Sequence, residues 1–263
     1  MTTRRVPRTQ DLTWSTVGRV GGALAAGALA ATLVSTGLTA QTPARSFALE
    51  SSEGLRLANV AAQPATLDGK RGLRVRLSED AQKKREAMTP QQQEATVKAG
   101  QIDEQLAIVE GLEFGDGVIE AEVAGAPRTE MFRDARGFVG IAFRLQPDLR
   151  TYDAFYLRPT NGRADDQVRR NHSTQYSSFP DFDFARFRKE SPEKYESYVD
   201  LEPGAWTRVR IVVQGTTAKL FVHGAPQPAL IVPDLKLGDA SGAVALWIGP
   251  GTEGYFSGLA IKP

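Results

Sequence analysis

Apolar and polar residues alternate in short runs along most of the chain. In 138–145 Val139, Ile141, Phe143 and Leu145 fall on one side and Arg144 on the other. In YDAFYLR, 152–158, Phe155 and Leu157 oppose Tyr156 and Arg158. Ile119, Ala121 and Val123 alternate with Glu120 and Glu122, and Leu73, Val75 and Leu77 with Arg74 and Arg76. A period of two marks a half-buried strand. Similar runs cover Leu55 to Ala61, Trp206 to Val213, Lys219 to Val222, Leu230 to Val232, Val244 to Ile248 and Tyr255 to Ile261. Turn residues such as Asp68, Gly69 and Gly72 separate them, and Gly115-Asp116-Gly117 predicts a hairpin between LEF and VIEAEV. Short strands at near-regular spacing predict an all-β fold, a β-sandwich or jelly roll.

Two stretches break this texture. Ser78 to Glu104 is rich in Gln, Glu, Lys and Ala, and Thr89-Pro90-Gln91-Gln92 carries the signs of a helix start: an N-cap hydroxyl, proline at the first helical position and glutamine at the third. A short helical insertion around 79–104, solvated and without a ligand role, is expected there. The second stretch, 152–201, opens as a strand and then runs on as a loop, 160–200, dense in Arg, Asp, Asn, Gln and Tyr. Long irregular segments inside a domain are functional or disordered, and this one holds too many aromatic rings for a disordered linker. It is the expected ligand-binding region.

The N-terminus changes the charge balance. Arg4, Arg5, Arg8 and Arg19 precede or flank an uncharged run from Val20 to Leu38, and Ala40 suits a cleavage site. Residues 1–40 are expected to be a bacterial-type secretory signal peptide, with an uncleaved membrane anchor as the alternative. The domain would then be 41–263, exported to the periplasm or outside the cell, with no membrane association once the leader is gone. The leader carries +3 of the whole-chain +1, which leaves −2 on the domain. That balance excludes nucleic acid as a partner. The chain has no cysteine and two histidines, too few ligands for a zinc site, and no cofactor is expected. Calcium held by Asp and backbone carbonyls needs no linear motif and stays open. The oligomeric state is not legible.

If the apolar sets face the core, Glu120, Glu122, Arg144, Tyr156, Arg158 and Trp247 lie on outward faces. Such a face suits a sugar, because rings stack on pyranoses and Arg or carboxylate groups meet hydroxyls. Cross-strand ion pairing would place the same residues there without any ligand. The candidate substrate contacts on the sheet are Arg144, Tyr156, Arg158 and Trp247. Those on the loop are Asn161, Asp166, Arg169, Asn171, Gln175 and Tyr176. His172 is the natural general acid/base. The alternative there is a loop that braces itself, Asp165 and Asp166 pairing with Arg169 and Arg170 and His172 capping a carbonyl. A second cluster, Tyr195-Glu196 with Tyr198 and Asp200, offers a stacking ring and a second carboxylate, so the candidate catalytic pair is His172 and Glu196.

The strand GFVGIAFRL, the following YDAFYLRPTNG, Trp206 before RVRIVV, the AKLFVHG arm and the closing ALWIGPGTEGYFSGLAI resemble the concanavalin A-like lectin/glucanase superfamily. Within it the chain is most similar to exported bacterial proteins with a 3-keto-disaccharide hydrolase-like domain. The resemblance spans about 50–262. It implies a two-sheet antiparallel jelly-roll sandwich with a concave sheet face that engages an oligosaccharide or glycoside. The laminarinase-type E-x-D-x-x-E strand is reduced here to Glu120-Ala121-Glu122, which argues against retaining-glycosidase chemistry. Three functions follow: a non-catalytic carbohydrate-binding sandwich, a hydrolase or lyase acting on 3-keto-glycosides, or a protein-interaction module. In the second, His172 or Glu196 would take the proton made acidic by the keto group, with Arg158 or Arg169 stabilising the oxyanion.

Overall fold

The computed structural model describes residues 44–89, 91–92, 95, 104–133 and 135–262. The expected leader, 1–40, lies outside the described residues, as do Pro90, 93–94 and 96–103 of the expected helical insertion. The strands are β1 (Arg45–Phe47), β2 (Leu55–Ala58), β3 (Val60–Leu67), β4 (Lys70–Leu77), β5 (Leu106–Val109), β6 (Gly117–Pro127), β7 (Val139–Leu145) and β8 (Tyr152–Leu157). They continue with β9 (Thr174–Phe179), β10 (Glu196–Ser197), β11 (Thr207–Gln214), β12 (Thr217–Val222), β13 (Leu230–Val232), β14 (Ala243–Ile248) and β15 (Thr252–Lys262). One antiparallel sheet runs β13-β12-β11-β6-β15-β4-β3, with β1 also paired to β15. The other runs β10-β9-β8-β7-β14-β5-β2. The expected two-sheet jelly-roll sandwich is what the chain forms.

The alternating apolar residues meet between the sheets. Leu73, Val75, Ile119, Val123, Ile211 and Phe256 come from one sheet, and Ile141, Phe143, Phe155, Leu246 and Ile248 from the other, all closed to solvent. Each such large side chain contributes about 1.5–3 kcal/mol by leaving water. Phe114, Phe143 and Phe155 pack ring on ring across this layer. The outer face of the seven-stranded sheet is apolar as well. Leu106, Ile108, Ala142, Ala154, Tyr156, Ala245 and Trp247 form a second buried cluster there.

Helix α1 (Glu79–Glu86) starts at Ser78, whose Oγ accepts from the Ala81 amide at 3.3 Å. Its acidic first turn and basic last turn suit the helix dipole, and none of its residues is buried, as a surface helix requires. The Thr89 start signal also forms. Gln92 N donates to Thr89 Oγ1 at 3.3 Å and Thr89 N donates to Gln92 Oε1 at 2.8 Å, a reciprocal cap. The insertion therefore ends one helix at Glu86 and begins again beyond Thr89.

Three expectations need correction. The Gly115-Asp116-Gly117 turn does not close a hairpin: β5 and β6 belong to different sheets, so the turn carries the chain across the sandwich. Asp116 ties that crossing down by accepting from Gly215 N at 2.8 Å and from Arg144 at 3.1 Å. The stretch 160–200 is not a loop. It contains a 3-10 turn (Pro159–Asn161), helices α2 (Gln167–Asn171) and α3 (Phe184–Glu190), and strands β9 and β10. The sequence TQYSSF conceals β9 because buried polar groups stand on both of its faces.

Arg144 is the third. Its backbone adopts φ 55°, a left-handed conformation that breaks the alternation of β7, and the register of β14 against β7 shifts between Ala243 and Ala245. The guanidinium is fully buried and binds the carbonyls of Gly115, Gly215 and Gly238, tying three loops together at one end of the sandwich. It braces the scaffold and presents nothing to an outward face. Arg144→Met is expected to lower stability by about 3 kcal/mol in urea unfolding, because Gly carbonyls lose a charged donor. A change under 1 kcal/mol would contradict that role.

Candidate functional site

The outer face of the seven-stranded sheet is organised in rows. Strand register places Trp247 beside Gly140, Gly140 beside Tyr156, Tyr156 beside Gln175 and Gln175 beside Glu196, across five strands. Gly140 has no side chain, and a Cβ there would lie 2.2 Å from the Phe155 carbonyl oxygen and 2.6 Å from Tyr156 Cβ. The rings of Tyr156 and Trp247 meet over this gap, 4.8 Å between centres. The next row is small: Ile108, Ala245, Ala142, Ala154 and Ser177. Beyond it Tyr152 stands opposite Phe179, and Trp247 Nε1 donates to Tyr152 Oη at 3.1 Å across the trough. Burial, and next the charge of Glu104, which accepts from it, push the Tyr152 phenol well above its ordinary value.

Charge gathers at the β10 end of the aromatic row. Arg158 Nη1 lies 2.7 Å from Glu196 Oε1, both side chains only 3% exposed. The other arm of Arg158 donates to Gln175 Oε1 at 2.8 Å and to Tyr156 Oη at 3.2 Å. Its cationic carbon lies over three rings, 5.1 Å from Tyr156, 5.4 Å from Phe138 and 5.7 Å from Phe184. Helix α3 brings Arg188, which grips both oxygens of Glu196 at 2.9 and 2.6 Å. His172, the C-cap residue of α2, places Nε2 3.6 Å from Glu196 Oε2. Gln175 holds the bottom of the cluster by donating to the Tyr176 and Tyr195 carbonyls.

These contacts set the protonation states. Burial alone would raise the Glu196 carboxyl, but the hydrogen bonds from Arg188 and the charge and hydrogen bond of Arg158 outweigh it and hold it below its usual value. Burial pushes the His172 imidazole below its ordinary value; the charge of Glu196 pulls it up, and Arg188 and Arg158 add to the fall. The site thus presents a neutral imidazole beside a fixed carboxylate and two guanidinium groups. Glu196 has its oxygens engaged and serves to position the arginines, a poor arrangement for a base.

The candidate residues divide accordingly. Tyr156, Arg158, His172, Gln175, Glu196 and Trp247 come together. Tyr156 and Trp247 were expected as exposed rings, yet they are 3% and 7% exposed, because each packs on its neighbours in the row. Tyr176 and Tyr195 face the inner core, where their rings pack on Phe187, and Tyr195 donates to Asp234. Asn161 and Arg169 brace the turn: Arg169 donates to Asn161 Oδ1 and Thr160, and Asn161 Nδ2 to the His172 carbonyl. Asp166 caps α2 through the Arg169 amide, and Asn171 accepts from Gln167 on the exposed side of that helix. The segment braces itself, though by these contacts and an Arg163–Asp200 pair at 2.9 Å instead of the expected pairs of Asp165 and Asp166 with Arg169 and Arg170. Glu120 and Glu122 lie on the other sheet, in cross-strand pairs with Arg208, Lys262 and Lys70. Arg188, Phe138 and Phe184 were missed, since nothing in FARFRKE distinguishes Arg188 from its basic neighbours. Among the described residues no group of three or more His, Asp or Glu side chains is placed to hold a metal ion.

The pKa directions define a stability profile. His172 is depressed when folded, so its contribution is complete above its ordinary 6.5 and is lost as pH falls through the folded value. Glu196 likewise contributes above its ordinary 4.5 and loses that contribution on further acidification. Urea unfolding against pH should therefore show an upper step that His172→Asn removes. A lower step, shared with Asp234 and Glu120, should shrink in Glu196→Gln. Superimposable profiles for all three proteins would contradict the assignment.

No protein-family model and no curated protein sequence matches the chain. Among solved structures it superposes on the carbohydrate-binding module CBM66 from Bacillus subtilis with a TM-score of 0.46 and 10% identity, covering 80% of this chain and 96% of that one. It superposes on a protein of unknown function with a galectin-like fold, also from Bacillus subtilis, with a TM-score of 0.49 and 12% identity over 84% and 96% of the two chains. It superposes on a β-glucanase from Bacillus licheniformis with a TM-score of 0.43 and 11% identity, over 84% and 99%.

Proposed function

We propose that the protein engages carbohydrate at the β10 end of the outer face of the seven-stranded sheet. The observation that carries this is the single register row Trp247–Tyr156–Gln175–Glu196, which ends in a rigid, hydrogen-bonded Arg158–Glu196–Arg188 cluster with an open rim. At that rim Phe184 is exposed, Arg188 is 38% exposed and His172 15%. A ring face, a guanidinium fork and an imidazole side by side are the groups a sugar needs: one to stack, two to meet hydroxyls. The closed row beneath keeps those groups in place, so ordering them on binding costs little. The protein acts outside the cytoplasm on this reading, on the strength of the basic and then apolar segment at 1–40.

A second reading is favoured by one observation, the neutral His172 beside two arginines. In a 3-keto-glycoside the carbonyl acidifies the neighbouring C–H. The ring nitrogen of His172 turned away from Glu196 would take that proton, and the electron pair would form the enolate. The enolate would expel the glycosidic oxygen as a carbon–carbon double bond forms, the leaving oxygen recovering the proton from the imidazolium. Arg188 would stabilise the enolate oxygen. Glu196 orients the guanidinium groups and takes no proton.

Native mass spectrometry of the protein with an oligosaccharide panel that includes 3-keto-glycosides tests both. Intact adducts that weaken at least about tenfold in Phe184→Ala and Arg188→Gln are expected for binding, each change removing one stacking or charged contact. Shortened sugars that vanish in His172→Ala would establish the elimination instead. Neither adduct nor product would overturn both and point to a protein partner.

A further inference from the structure

A second cleft lies away from this cluster, between α1 and the turn after β6. It has a volume of about 440 Å³, and Arg76, Arg85, Arg128, Glu86, Glu130 and Thr252 line it. Arg76 comes from β4, Arg85 from the last turn of α1, and Arg128 follows the end of β6. Three guanidinium groups converge on one small volume.

The acidic neighbours do not account for Arg76. Arg128 pairs with Glu130 at 2.7 Å, and Glu86 accepts from Gln82 at 2.8 Å. Arg85 lies over the Phe132 ring, 4.9 Å from its centre. Arg76 is half-buried, and its guanidinium has no hydrogen bond or ion pair among the described residues. Thr252 is a separate observation. It is 3% exposed, and its Oγ1 is buried without a hydrogen-bond partner. A buried hydroxyl left unpaired costs stability, and so does a half-buried guanidinium without an acceptor. Both costs fall away when one oxyanion fills the space between them.

We propose that this cleft is an oxyanion-binding site, in which Arg76 and Arg128 grip a carboxylate or phosphoryl group and the Thr252 hydroxyl donates to it. Guanidinium forks match the spacing of both groups, and the shared chemistry is a compact anion with two or more acceptor oxygens. Its two sources are an acidic sugar and a phosphorylated ligand. The site is independent of the proposed carbohydrate cluster and would hold if that reading failed.

Isothermal titration of the protein at low salt with inorganic phosphate, D-glucuronate and neutral D-glucose tests it. Saturable binding of at least one anion is expected. That affinity should fall at least about tenfold in Arg76→Gln, the loss of one charge-assisted contact. It should weaken about threefold in Thr252→Val, which keeps the shape and removes the hydroxyl. His172→Ala should leave it unchanged, which separates this site from the sheet-face cluster. Binding of phosphate alone assigns a phosphoryl ligand, and binding of glucuronate alone an acidic sugar. No saturation by either anion up to roughly 10 mM, or an Arg76→Gln affinity equal to that of the native protein, overturns the proposal. Among the described residues Arg76 makes no hydrogen bond or ion pair that the variant would break, so the variant should fold.

Discussion

A carboxylate taken out of water must be met by opposite charge and by donors on each of its oxygens, and Glu196 imposes that requirement on everything around it. Arg158 answers from just past the end of β8 and Arg188 from α3, while Gln175 and Tyr156 occupy the second arm of Arg158. Three elements of the 152–197 stretch are thereby fixed to one another at the end of the sheet. Removing Glu196 would leave the buried Arg158 without a carboxylate, while Arg188 is the contact that holds α3 to the strands. The rigidity of the rim, and with it any selectivity for a ligand, rests on this ion cluster more than on the apolar packing beneath it.

The sandwich was legible wherever one face of a strand was apolar and the other polar. β4, β6, β11 and β12 follow that rule, and their edges were placed within a few residues. It failed at β9, where Thr174, Gln175, Ser177 and Ser178 are all buried and the period-two signal disappears. It failed also at Arg144, because one residue in the left-handed region turns a side chain that the alternation had assigned outward. Position on a strand is a sequence property; the bulge that changes it depends on the neighbouring strand.

The site was partly legible for a related reason. His172 and Glu196 stood out as rare or isolated titratable groups in a polar stretch, and the structure brings them within 3.6 Å. What the sequence conceals is division of labour. Glu196 looks like a base until two guanidinium groups are seen on its oxygens. Tyr156 and Trp247 look like exposed platforms until the absence of a side chain at Gly140 lets them close on each other. Loop residues such as Asp166 and Asn161 carry the composition of a binding site and spend it on caps and carbonyls.

The short outer strands have a consequence of their own. Sheet borders attract other chains, since their unpaired amides can recruit a further strand. Here β10 has two residues and β13 three, too little length to template such an addition. The longer border strand, β3, carries Pro64, which removes one donor from its ladder. Three of the four borders of the sandwich are in this way guarded against self-association through backbone pairing, which keeps its broad faces free for other uses.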